Sequence, residues 1–96
     1  MAVAVEMNFR GATLSQYDKV LELMGLTPLG AGPPGSVSHW AAATADGLRV
    51  VDVWHSKEQY EAFAHDQIGP LSQQAGFTGP PDVTFYEVHN YFTQGG

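Results

Sequence analysis

Apolar and polar residues alternate at the start of the chain. Val3, Val5, Met7 and Phe9 interleave with Ala4, Glu6, Asn8 and Arg10, which is the period of a strand that buries one face. The period then lengthens: Leu14, Tyr17, Leu21 and Met24 fall on one helical stripe, Asp18, Lys19 and Glu22 lie largely off it, and Thr13 with Gln16 has the spacing of a capping box. Gly25 supplies a left-handed stop, so a helix of about three turns is predicted. Gly and Pro crowd Leu26–Gly35, which predicts an exposed loop across the end of the sheet, placed to serve as a lid. Ser36–Thr44 and Leu48–His55 read as strands flanking Ala45-Asp46-Gly47, where Asp-Gly favours the positive φ angles of a type I′ hairpin. Ser56 and Gln59 repeat the capping logic, and Tyr60, Phe63, Ala64 and Ile68 share one helical face. Gly69-Pro70 must end or kink that second helix, with a short helical turn over Leu71–Ala75. The last strand is predicted at Val83–Phe92, and Thr93–Gly96 is a loose tail.

The second half of the pattern echoes the first. Gly25-Leu26-Thr27 leads through Gly32-Pro33-Pro34 into a strand, and Gly76-Phe77-Thr78 leads through Gly79-Pro80-Pro81 into another. Two split βαβ units follow, giving a βαββαβ order over one domain, residues 1–96. The expected class is α+β and ferredoxin-like: a four-stranded antiparallel sheet with two helices on one face and the first strand beside the third in the centre.

The uncovered sheet face is then where function is sought. A two-residue Asp46-Gly47 turn would pair Ala45 with Leu48, Ala43 with Val50, Ala41 with Asp52 and His39 with Trp54. If the β-branched pair Val51 and Val53 packs under the helices, Val50, Asp52, Trp54 and His39 turn to the uncovered face. The same alternation sends Val83, Phe85, Glu87, His89 and Tyr91 there, and the first strand adds Ala4, Glu6 and Asn8. Apolar groups mixed with acids and imidazoles suit a cavity closed between two subunits, and a chain of 96 residues gains from a second copy that covers apolar area.

Charge and composition narrow the partners. Ten acidic against four basic side chains leave a formal net charge of −6, which disfavours nucleic acid and anionic membrane surfaces. With no cysteine there are no disulfides, thiolate nucleophiles or Cys-ligated metals. The start of the sequence carries no basic leader and Glu6 interrupts its apolar run, so a cytoplasmic location is expected.

The element order and length, the run Val53-Trp54-His55-Ser56-Lys57-Glu58-Gln59-Tyr60-Glu61-Ala62-Phe63 and the following Ile68-Gly69-Pro70 resemble the dimeric α/β-barrel superfamily, and within it the small antibiotic-biosynthesis-monooxygenase-like proteins. The resemblance implies a homodimer whose barrel holds a small apolar or aromatic molecule. Such proteins include cofactor-free oxygenases, haem-degrading enzymes, isomerases and members with no assigned reaction. Some of the monooxygenases use an Asn on the first strand and a Trp at the end of the third, where Asn8 and Trp54 stand. The haem-degrading branch adds a His on the second helix; the counterpart, His65, lies beside the apolar stripe and not on it, which argues against haem.

Among the site candidates, His89 with Glu87 is the expected acid–base pair, because an imidazole beside a carboxylate in a partly apolar cavity titrates near neutral pH. Asn8 and Trp54 would orient a substrate by hydrogen bonds, although a large aromatic in a strand equally fits a dimer-interface core. Asp52 would partner His39, and Glu6, Phe85 and Tyr91 complete the expected binding surface. His39 and His89 with one of the carboxylates have the residue types of a two-His-one-carboxylate centre, but no short ligand spacing supports it, so neither metal nor other cofactor is expected. The leading expectation is a homodimeric barrel that binds an apolar or aromatic molecule, with cofactor-independent oxygenation as its reaction. A non-catalytic binding or stress-associated barrel, or an isomerase or cyclase of the same shape, are the alternatives.

Overall fold

A computed structural model describes residues 1–95. Strand β1 (Val3–Arg10) buries Val3, Val5, Met7 and Phe9. Helix α1 (Leu14–Met24) begins at the predicted capping box, in which Thr13 Oγ1 accepts from the Gln16 backbone at 3.1 Å and the Gln16 side chain accepts from the Thr13 backbone at 2.9 Å. It stops at Gly25, whose φ of 76° is the left-handed conformation that favours glycine. Strands β2 (Ser36–Thr44) and β3 (Gly47–Trp54) form the central hairpin.

Beyond it, α2 (Lys57–Phe63) runs into a π-helical segment (Ala64–Ile68) and then α3 (Gly69–Gln74). The Gly69-Pro70 pair therefore kinks the helix without ending it. Pro70 cannot donate a backbone hydrogen bond, and the wider turn lets the Gly69 N–H reach back to the Ala64 carbonyl. Strand β4 (Asp82–Glu87) is shorter than the predicted Val83–Phe92. Val88 adds one backbone bond to Ala2 at 3.1 Å, after which the chain leaves the sheet. The predicted tail over 93–96 has no regular structure through residue 95, and residue 96 lies outside the described residues.

The strands pair antiparallel in the order β2-β3-β1-β4, as the βαββαβ reading predicts, and the helices cover one face. Register decides what lies on each face. Val3, Val5, Met7 and Phe9 sit opposite Trp54, Asp52, Val50 and Leu48 in β3, and Val5 and Met7 sit opposite Phe85 and Val83 in β4. Cross-strand partners share a face, so Val50, Asp52 and Trp54 lie under the helices, and Val51 and Val53 take the open side. This reverses the assignment expected from the sequence. Leu48, Val50 and Trp54 together remove far more apolar area from water than two valines, and the polar atoms of Asp52 and Trp54 satisfy one another. Trp54, Met7, Leu48 and Val5 form the fully buried centre of the core.

The hairpin register also slips by two residues from the expected one. Thr44 pairs with Gly47 and His39 with Asp52, so Ala45 and Asp46 make the turn. A slip of two keeps every side chain on its face. Neither turn residue has positive φ. Gly47 is instead required by a close approach: a Cβ there would run into the Phe9 carbonyl oxygen and lie 2.9 Å from the Gly11 nitrogen, where the end of β1 crosses the turn.

Candidate functional site

Between α1, the loop over 26–35 and the helix-covered side of β2 and β3 lies a cavity of about 770 Å³. Its walls are mostly apolar: Met7 and Leu48 from the sheet, Leu21 and Met24 from α1, Phe63 from α2 and Phe77 from the segment before β4. The loop is anchored at its far end, where the His55 N–H donates to the Gly35 carbonyl at 3.0 Å and Ser36 Oγ donates to the Pro33 carbonyl at 2.6 Å. Within it Leu29 holds a φ of 65°, a strained value for a side chain of its kind, and its side chain points to solvent.

Four polar side chains on this wall form one hydrogen-bonded line. Tyr17 projects from the inner stripe of α1, and its Oη lies 2.5 Å from His39 Nε2 with the ring planes within 8° of each other. His39 Nδ1 is 2.5 Å from Asp52 Oδ1, and Trp54 Nε1 donates to Asp52 Oδ2 at 3.1 Å. Adjacency in the hairpin sets the middle bond, because His39 and Asp52 are direct cross-strand partners. Asp52 and Trp54, two apart on β3, share its buried face. An ionised carboxylate can only accept, so it fixes the proton on Nδ1 and leaves Nε2 as the acceptor for the Tyr17 hydroxyl. Burial, the Asp52 charge and then Asp18 raise the Tyr17 phenol above its ordinary pKa, which keeps it protonated and able to donate. Tyr60, buried beneath Trp54, is pushed up to about 12, by burial first and then by Asp52 and Glu61.

Exposure is graded along the line. Trp54 and Asp52 are 1% and 5% exposed, whereas the His39 side chain retains 37% at the mouth of the cavity. The inner end is dry and the outer end meets water.

Of the residues singled out in the sequence, the structure brings together His39, Asp52 and Trp54, within one chain and under the helices. These three therefore do not lie on the open sheet face where the sequence reading puts them. Asn8 and Glu6 lie on the opposite face, where Asn8 Nδ2 donates to Glu6 at 3.0 Å and Arg49 Nε donates to Asn8 Oδ1 at 2.8 Å. The Asn8 amide cannot reach the cavity through the sheet. Phe85 stays on the helix side of β4, edge-on to Tyr60 with Lys57 above its ring. Glu87 ends β4 in solvent, and exposed His89 and Tyr91 follow the strand, so no His89–Glu87 pair faces a cavity. Pairing of β4 with β1 ends at Glu87 opposite Val3, with the Val88 N–H donating to the Ala2 carbonyl just beyond it. The His65 side chain is 90% exposed and bonded to Asp66, and it does not line the cavity. Among the described residues no group of three potential ligands could hold a metal ion.

Tyr17 was missed as a site residue, since its place in the apolar stripe of α1 reads as core. The available signal was its hydroxyl, because a Tyr that faces inward needs a polar partner. No helix among the described residues is long and apolar enough to cross a membrane.

No protein-family model matches the sequence, and no curated protein matches it. Solved structures do. A putative antibiotic biosynthesis monooxygenase from Chloroflexus aurantiacus J-10-fl superposes with a TM-score of 0.60 at 18% identity, covering 98% of this chain and 100% of that one. A monooxygenase from the gene ActVA-Orf6 of Streptomyces coelicolor, determined in complex with the ligand Nanaomycin D, superposes with a TM-score of 0.52 at 25% identity over 98% and 92% of the two chains. The element order, the four-stranded antiparallel sheet and this near-complete superposition give the chain the ferredoxin-like fold of the antibiotic biosynthesis monooxygenase-like proteins.

Proposed function

We propose that the chain is a cofactor-independent monooxygenase of aromatic molecules that carry an acidic carbon-bound hydrogen, acting in the cavity under α1. The observation that carries this reading is the line His39–Asp52–Trp54, held at bonding distance on the wall of a mostly apolar chamber. Oxygenation without a cofactor requires the substrate to become a carbanion that can itself reduce oxygen. A proton sink and a dry surround for the anion are what the protein must supply. His39, held by buried Asp52, is the sink. The carbanion passes one electron to oxygen, the two fragments join as a hydroperoxide at that carbon, and loss of water leaves a carbonyl group. One oxygen atom is kept and the other leaves in water. A structural neighbour determined in complex with the ligand Nanaomycin D supports a small-molecule guest in this fold.

The same reading includes assembly into a homodimer through the open sheet face, which presents Trp40, Val51, Val53 and Tyr86 to solvent in a single chain. The site itself is complete within one chain.

Dithranol, an anthrone with an acidic ring methylene, tests the activity. The protein is expected to accelerate its oxygen uptake and its conversion to the anthraquinone. His39→Gln should lower that acceleration by about 100-fold, and His65→Ala, on the solvent side of the helix, should not. Oxygen uptake equal to that of buffer, or an undiminished rate in His39→Gln, sinks the proposal. Methylene deuteration without oxygen uptake would instead indicate an isomerase.

A further inference from the structure

Both ring nitrogens of His39 are already engaged, Nδ1 with Asp52 and Nε2 with Tyr17. Neither can take a proton from a substrate in this arrangement. Asp52 is buried, with one oxygen bonded to His39 and the other to Trp54, and the Trp54 nitrogen can only donate. The spare lone pairs of Asp52 are buried with it, so the unspent acceptor of the line that lies on the cavity wall is Tyr17 Oη, which donates to His39 and keeps its lone pairs free. Asp18, the other ionisable side chain of α1 on the cavity rim, is solvent-exposed and makes no hydrogen bond to the line.

We infer that Tyr17 is the catalytic residue that touches the substrate, and that its hydroxyl shuttles the substrate proton to His39. This rests on the functional reading above and deepens it. As the substrate carbon–hydrogen bond breaks, Oη receives that proton and passes its own to Nε2, so the phenol is unchanged overall. The products are a carbanion in the cavity and an imidazolium beside the Asp52 carboxylate. No electron moves in this step. Direct hydrogen-bond contact between Oη and Nε2 suits a concerted transfer, which needs no free phenolate. The burial that holds the phenol neutral is therefore compatible with the role. His39, at the cavity mouth with its side chain 37% exposed, can then release its proton to water.

The arrangement follows the logic of a nucleophile–His–Asp triad, with a phenol in place of the outer hydroxyl. Groups that act as a unit lose most of their effect when any one is removed.

The test separates proton transfer from oxygenation by following deuterium incorporation into the dithranol methylene, in deuterium oxide without oxygen. Tyr17→Phe and His39→Gln are each expected to slow exchange by about 100-fold, and the double variant by no more than either alone. Circular dichroism checks that each variant is folded. A 3-fluorotyrosine placed at position 17 keeps the ring and its bond but makes the phenol more acidic. It is expected to move the pH–rate profile, which a merely structural hydroxyl would leave in place. Exchange in Tyr17→Phe within threefold of the parent, or an unmoved profile with 3-fluorotyrosine, overturns the shuttle and leaves His39 as a direct base. A parent protein that neither exchanges the methylene nor consumes oxygen overturns the monooxygenase reading and the shuttle with it.

Discussion

Asp52 is the residue on which the site's electrostatics turn. It is 5% exposed, with one oxygen receiving the Trp54 indole N–H and the other facing His39 Nδ1. Asp52→Ala leaves the buried indole donor, and the half-exposed imidazole, without their acceptor, and is expected to cost about 2–3 kcal/mol in urea denaturation. Asp52→Asn behaves differently. An amide oxygen can still accept from Trp54, while its NH2 group faces Nδ1 and forces the proton to Nε2. The tautomer therefore inverts and Tyr17 loses its acceptor. Stability should change by less than about 1 kcal/mol, proton exchange should drop by more than about 100-fold, and nitrogen NMR of His39 should show Nε2 protonated. Tyr60 yields a pH prediction with a definite sign. A phenol pushed up to about 12 from 10.0 binds its proton more tightly in the folded chain than in the unfolded one, so its contribution is complete below pH 10 and disappears as pH rises toward 12. Thermal melts should show a loss on the order of 2 kcal/mol across that window, and the slope should be shallower in Tyr60→Phe.

At the scale of elements, the parts of the fold set by local chemistry were legible in the sequence. Thr13 with Gln16, and Gly25, bracket α1 at the predicted positions because caps depend on a few adjacent residues. The facing of β3 was not legible. Leu48, Val50 and Trp54 alternate with Val51 and Val53, so both faces of the strand read as apolar, and only its register against β1 chooses between them. That ambiguity puts Asp52 and Trp54 on the wrong side in a reading from sequence and conceals their link to Tyr17, which runs through His39. The turn is ambiguous for a similar reason. Asp46-Gly47 suggests positive φ, whereas Gly47 is needed because the end of β1 crosses it, which no local pattern reveals. Gly47→Ala is therefore expected to push the hairpin away from Phe9 and Gly11 and to destabilise the fold by about 1–3 kcal/mol or more, measured as a shifted urea midpoint. Asp46→Ala, at a true turn position without positive φ, should cost less than about 0.5 kcal/mol.

For the whole molecule, the open face is what remains to be covered. The registers place its side chains in rows across the sheet. Ser38, Val53, Ala4 and Tyr86 form one row, Trp40, Val51, Glu6 and Thr84 the next, and Ala42, Arg49, Asn8 and Asp82 a polar third. Trp40 is 51% and Tyr86 53% exposed, one at each edge strand, with half-buried valines between them. A two-fold axis through such a face brings each apolar row against its own copy or its neighbour, and the Glu6–Asn8–Arg49 network can stay hydrated at one corner. Helix packing cannot relieve this exposure, since the helices are committed to the other side. Light scattering is accordingly expected to give twice the 10.3 kDa chain mass. Val53→Glu, which puts a charge in the middle of the apolar row, should yield a folded monomer with unchanged far-ultraviolet dichroism. Because the cavity under α1 is built from one chain, that monomer should still bind dithranol, and its proton exchange should stay within a few-fold of the parent. A Val53→Glu protein that remains dimeric would place the interface elsewhere; a monomeric one that has lost the exchange would show that the second copy holds α1 and its Tyr17 in position.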